Sequence, residues 1–254
     1  MNLKSIILTL ILGLQLNFAR SESGKIVGGE IMDITNVPYF VSLEHFTRRF
    51  ICGGSIISNF WVLSAAQCKV DVEETDMRVR SGSSRRLSGG QVHKVLKAFI
   101  HPNYTDLENP STEYNFLMLK LVNPIIFDDK RQAIVLAVNP SMYKQSGSAL
   151  ALGFGKTENP TQSSEILRGV VLELINDYCN DGSSILNKVC VKSPLKGVCA
   201  GDIGGPLESI QFGTLLGVVT HNDHLCGHAV YAEYYGSIFL VNKWIYQTMD
   251  SNQD

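Results

Sequence analysis

The stretch Gly201-Asp202-Ile203-Gly204-Gly205-Pro206 is the one around which the rest of the chain is read. Asp202 adds a carboxylate. Ile203 beside it has neither a lone pair nor an acidic proton, so it cannot attack a carbonyl. Gln67, in Ser64-Ala65-Ala66-Gln67-Cys68, is an amide that does not titrate near neutral pH and cannot serve as a general base. His221, His224 and His228 surround Cys226, and neutral imidazoles bind zinc. Cys52, Cys68, Cys179, Cys190, Cys199 and Cys226 are an even set with no C-x₂-C spacing. They read as disulfides, in any of the 15 pairings that six cysteines allow. The histidines then read as a surface loop, and neither a metal nor a cofactor is expected.

These residues need a scaffold, and the composition supplies one. The chain has 254 residues, 44% hydrophobic and 18% charged, enough to bury a large core in one domain or two packed lobes. A formal charge of −2 with no long basic run gives no reason to expect nucleic acid. Lys4, the apolar run Ser5 to Leu16 and the small Ala19 read as a signal peptide, 1–19. The run is shorter than the ~20 residues that span a bilayer, so no membrane anchor is expected. Residues 20–25, ending at Lys25, read as a short propeptide. A secreted, extracellular protein follows.

From Pro38 the text consists of short β-branched and aromatic runs between turn residues: Tyr39 to Leu43, Phe50 to Ile57, Trp61 to Ser64, Val170 to Leu174, Val189 to Val191 and Leu215 to Val219. Such punctuation predicts barrels or sandwiches. One helix is expected, from Ser237 to Met249, with Ile238, Val241, Ile245 and Met249 at 3- and 4-residue spacing. Asn103-Tyr104-Thr105 is an N-glycosylation sequon.

Taken together, the motifs resemble the chymotrypsin/trypsin-like serine proteases. The loop at Gly201 is similar to that family's Gly-Asp-Ser-Gly-Gly-Pro, with Ile203 in place of the nucleophilic serine. Ser64 to Cys68 resembles Thr/Ser-Ala-Ala-His-Cys, with Gln67 at the base. Tyr114-Asn115-Phe116-Leu117-Met118-Leu119-Lys120-Leu121 resembles Asn-Asp-Ile-Ala-Leu-Leu-Lys-Leu, with Asn115 at the orienting acid. Ile26-Val27-Gly28-Gly29 resembles the amino terminus freed by cleavage, here after Lys25. The resemblance runs from Ile26 to about Met249.

The resemblance implies an all-β fold: two antiparallel six-stranded β-barrels, about 26–133 and 134–254, with a C-terminal α-helix. It implies the bridges Cys52–Cys68, Cys179–Cys190 and Cys199–Cys226. It implies a switch in which freed Ile26 pairs with Asp202, and oxyanion-hole amides at Gly201 and Ile203. The family's calcium loop falls on Ser81 to Gly90, which has no carboxylate, so no calcium is expected. Pocket positions fall on Gly197, Thr220, His221, Asn222 and Ala229. With Gly197 where trypsin-like members carry an aspartate, neither a cationic nor a large aromatic side chain is expected there.

With Gln67, Asn115 and Ile203 at the triad positions, the expectation is a protein that is not an enzyme. It would be a non-catalytic homologue acting by protein–protein binding in an extracellular protease network, in immune or reproductive fluid. Its partners would be extracellular proteins, among them active proteases or other homologues. Two alternatives stand beside that reading. One is a residual or unconventional serine-type endopeptidase; the other is an adhesion or carbohydrate-binding protein.

Overall fold

The computed structural model describes residues 28–105, 114–143, 147–156, 163–175, 179, 184, 186–192, 196–220 and 233–253. Six strands close the first barrel: β2 (Phe40–His45), β3 (Arg49–Ile56), β4 (Trp61–Ser64), β5 (Met77–Ser81), β6 (Gln91–Ile100) and β7 (Leu117–Leu121). Their order around the ring is β2-β3-β4-β7-β6-β5. In β5, Met77, Val79 and Ser81 are buried while Arg78 and Arg80 are less so, the alternation of a sheet with one face inside. In β7 all five residues are buried, because this strand is covered on both faces.

The second ring is built from β9 (Ser148–Gly153), β10 (Arg168–Leu174), β11 (Lys188–Lys192), β12 (Pro206–Ser209), β13 (Thr214–Val218) and β14 (Glu233–Ser237). It closes through antiparallel pairing of β9 with both β10 and β12. Two short strands dock on it. β1 (Glu30–Ile31) pairs with β10, so the start of the described chain lies on the second barrel. β8 (Val135–Leu136), in the segment that joins the rings, runs parallel to β13.

The expected strands are present, with ends shifted by a residue or two. The helix spans Ile238–Asp250 and buries Ile238, Val241 and Ile245. Its first turn is held by the hydroxyl of buried Tyr143, which accepts from the amide of Phe239 at 3.1 Å. The same hydroxyl lies 2.8 Å from the carbonyl of Ala137 and 3.0 Å from that of Leu216, either of which its proton can serve. Asn103 is exposed.

The two barrels touch through small and aromatic residues. Phe40 and Phe154 meet edge to face at 5.5 Å. A Cβ on Gly53 of β3 would sit 2.9 Å from the Cα of Gly205, so only a glycine fits.

Candidate functional site

The loop from Val198 to Pro206 lies where the barrels meet. The amide of Gly53 donates to the carbonyl of Ile203 at 2.8 Å, a bond from the first barrel to the loop. Gly204 donates to the carbonyl of Val219 at 2.8 Å, which ties the loop to the end of β13. Gly201 and Gly204 adopt φ of +102° and +80°, a region that favours glycine. A Cβ on Gly204 would lie 2.2 Å from Ser64 Oγ, so β4 and the loop are in direct contact. Ser64 Oγ donates to the carbonyl of Gly53 at 2.8 Å and is buried.

Asp202 is fully buried at the centre of this loop. Its Oδ1 accepts from the amide of Gly155 at 2.6 Å and its Oδ2 from the amide of Cys199 at 2.8 Å. A Cβ would come within 2.0 Å of Oδ1 at Gly153 and within 2.4 Å of Oδ2 at Gly155. The turn Leu152-Gly153-Phe154-Gly155 is thus bare in order to receive the carboxylate. Burial pushes its pKa up to about 7, and the two amide bonds oppose that rise. A cation beside Asp202 would reverse the balance. Lys25 and Ile26, the other end of the expected switch, lie outside the described residues.

Gln67 sits in a short helical turn, Ala66–Lys69, just after β4. Cys68 in that turn is bridged to Cys52 of β3, Cα to Cα 6.0 Å. Asn115 is completely buried in the approach to β7. Its Oδ1 accepts from the amide of Gln67 at 3.1 Å, and its Nδ2 donates to Gln67 Oε1 at 2.6 Å and to the carbonyl of Thr220 at 3.0 Å. The structure therefore brings two of the three expected triad positions into direct contact as a neutral amide pair. The third, Ile203, is 7% exposed and packs into the apolar core.

Cys179 is bridged to Cys190, as expected, with Cα atoms 5.7 Å apart. Cys199 is also in a disulfide; its expected partner Cys226 lies outside the described residues. So do His221, Asn222, His224, His228 and Ala229. Of the expected pocket residues, Gly197 and Thr220 are described and both are buried. One residue of this region escaped the sequence reading. Glu233, at the start of β14, lays its carboxylate on Gly197, so that a Cβ there would be 1.8 Å from Oε1. No local motif marks it; the only signal is an acid two residues before the buried Tyr235 of a strand that borders the loop.

Comparison with known proteins agrees with this geometry. The family model described as Trypsin matches residues 26–245. Trypsin 5G1 of Aedes aegypti is 34% identical over 235 residues, covering 89% of this chain and 86% of that protein. Trypsin epsilon of Drosophila erecta is 33% identical, covering 89% and 88%. Trypsin of Simulium vittatum is 32% identical over 212 residues, covering 79% and 83%. Among solved structures, neuropsin, a serine protease expressed in the limbic system of mouse brain, superposes with a TM-score of 0.75 at 25% identity. That alignment covers 87% of this chain and 99% of that one.

These likenesses correct the expectation that the chain is not an enzyme. The relatives are named as trypsins, and a likeness of 32–34% over most of both chains counts toward a protease. The physical reason for the correction is one of scope. Gln67, Asn115 and Ile203 remove the Ser–His–Asp route, in which a hydroxyl attacks after losing its proton to an imidazole. Side chains at three positions do not decide about hydrolysis by another route.

Proposed function

Since the chain belongs to the trypsin family of serine proteases, we propose that it acts on extended polypeptide at the junction of its two barrels, as a secreted member of an extracellular protease network. The observation that carries this reading is the state of the loop around Ile203. It is held from the first barrel by Gly53, from β13 by Val219 and from below by the Asp202 cradle, although its central side chain offers no nucleophile. A loop kept this rigid supports recognition, because preorganised groups lose little entropy on binding. The disulfides favour an oxidising compartment. Recognition of other proteins is the larger part of the proposed role. Peptide-bond hydrolysis is the activity that the family brings to it. Cleavage after Lys25 is the proposed processing step, with Asp202 as the receiving carboxylate.

The test restores the missing chemistry. The triple variant Ile203→Ser, Gln67→His, Asn115→Asp is compared with the parent, both cut after Lys25, on a fluorogenic peptide library and with a serine-reactive fluorophosphonate. We expect the triple variant to be labelled and to turn over peptides at least about 10⁴-fold faster than the parent. The parent's own rate, read on the same scale, measures how much of the family's chemistry it keeps. A folded triple variant that takes no label and cleaves no peptide would overturn the proposal that this junction holds polypeptide.

A further inference from the structure

At the ends of β4 and β7 away from Gln67 and Asn115, a cavity of about 330 Å³ opens between the first barrel and the end of the helix. None of its lining residues belongs to the site at the barrel junction. Its volume lies at the low end of the ~300–1,000 Å³ typical of small-molecule sites, so its occupant is small. The apolar wall is Phe60 and Trp61, at the start of β4, and Met249 of the helix. Two rings and a thioether suit a flat aromatic body. Rings meet edge to face or offset, and sulfur sits favourably at a ring edge.

Both walls are held in place. On the barrel side, the carbonyl of Phe60 accepts from the amide of Leu121 at 2.9 Å. On the helix side, the Asn252 side chain donates to the carbonyl of Thr248 at 2.8 Å. Lys120 of β7 joins the two walls, its Nζ donating to the carbonyl of Asn252 at 2.6 Å. The cavity is therefore preformed, and an occupant has little to order on binding. The charges around it are uneven. Trp61, Lys120 and Lys97 stand in a row across β4, β7 and β6, each directly opposite the next in the antiparallel registers. Like charges placed opposite one another in a sheet are destabilising, yet Lys97 and Lys120 form such a pair. Lys97 is exposed and forms no ion pair among the described residues. Its Nζ lies 5.0 Å from the ring centre of Phe99, which in turn meets Trp61 at 5.5 Å. Lys120 is 8% exposed, and its bond to a carbonyl leaves its charge in place. The acid on the lining, Asp250, is exposed and accepts from Gln253 Nε2 at 3.3 Å. A charge near the interior acts several times more strongly than one in water, so the buried lysine sets the sign of the cavity.

We infer that this cavity is a binding site for a small aromatic carboxylate, its ring among Phe60, Trp61 and Met249 and its carboxylate on the Lys120 ammonium. Lys97, beside Lys120 in the sheet, adds to the attraction. A carboxylate set against the two lysines offsets the repulsion that the register imposes on them. A hydrogen bond with an ionised partner is about twice as strong as a neutral one, so the acid is preferred to its uncharged analogues. The bound molecule touches the first barrel and the helix at once and fastens the one to the other. This site is separate from polypeptide recognition at the barrel junction and does not rest on it.

The test uses the full chain, carrying Trp244→Phe so that Trp61 is its only tryptophan. Hydrocinnamate, its neutral amide and the cationic phenylpropylamine are titrated by calorimetry and by Trp61 fluorescence. The acid should shift the Trp61 emission and bind at least about tenfold more tightly than the amide or the amine. In Lys120→Met the acid should come to within about threefold of the amide. If Lys120→Met does not fold, two other variants decide. Lys97→Met should weaken the acid by about threefold and leave the amide unchanged. Met249→Trp, read by calorimetry, fills the cavity and should abolish binding of both. Equal binding of the three probes by the folded parent overturns the inference, and so does no binding of any. Acid binding that survives Met249→Trp, or a preference for the acid that Lys120→Met leaves intact, places the anion elsewhere and overturns it as well.

Discussion

Asp202 carries the sharpest consequence at the scale of single residues. Its pKa is raised by burial from 3.8 to about 7. The folded chain therefore binds a proton more readily than the unfolded one. The stabilisation is fully present below about pH 4 and is lost as pH rises through about 7. Buried His93 and His101 are shifted down and act in the opposite sense, adding stability as pH rises toward 6.5. The difference between two proteins isolates the aspartate. Between pH 4 and 8, the unfolding free energy of the uncut parent, from urea titration, should fall by more than that of Asp202→Asn, by up to a few kcal/mol. Parallel pH profiles would sink the assignment. The motif letters mark Asp202 in the sequence. They do not show its burial, nor that Gly153 and Gly155 are bare for its sake.

Among the elements, the pairing of β2 with β5 contains a feature no pattern displays. Glu44 and Arg80 form an ion pair at 2.5 Å, with side chains 4% and 10% exposed. Arg80 also donates from NH1 to the carbonyl of Gly89, which fastens the following loop. Removing one member leaves the other buried without its counter-charge. Glu44→Ala should cost about 3–5 kcal/mol of folding free energy, while replacing both residues with apolar ones of similar volume should cost far less. A double-mutant cycle by chemical denaturation measures both. If Glu44→Ala costs under about 1 kcal/mol, the pair behaves like an exposed one and this account of it is wrong. Period-two alternation made β5 legible, and 3- and 4-residue spacing did the same for the helix. Cross-strand partners were not legible, because Glu44 meets Arg80 only once the register is known. The docking of β1 on β10 was hidden for the same reason, and so was the reach of Glu233 to Gly197. Each depends on pairing between distant segments, to which local composition is blind.

The whole molecule is two closed rings pressed together, and the site exists only where they meet. Tyr39 of the first barrel donates to Glu208 of the second at 2.5 Å, and the half-buried glutamate has its pKa raised by burial. The tighter link is backbone on backbone. Gly53 gives its amide to Ile203 while its α-carbon faces Gly205. A methyl at 53 would meet backbone atoms of Gly205 at 2.9 and 3.0 Å, which cannot rotate away. Gly53→Ala should thus push the loop from the first barrel, stretching the bond to Ile203. Gly54→Ala is the natural control. Its methyl would meet Val41 Cγ2 at 2.9 Å and the carbonyl of Leu63 at 3.2 Å, all within one barrel. Both substitutions should lower stability by about 1–3 kcal/mol. They should differ in binding. Protein folded as Gly54→Ala should keep its affinity for peptide, and Gly53→Ala should lose it. If the two variants bind alike at matched stability, the junction of the barrels does not control the site.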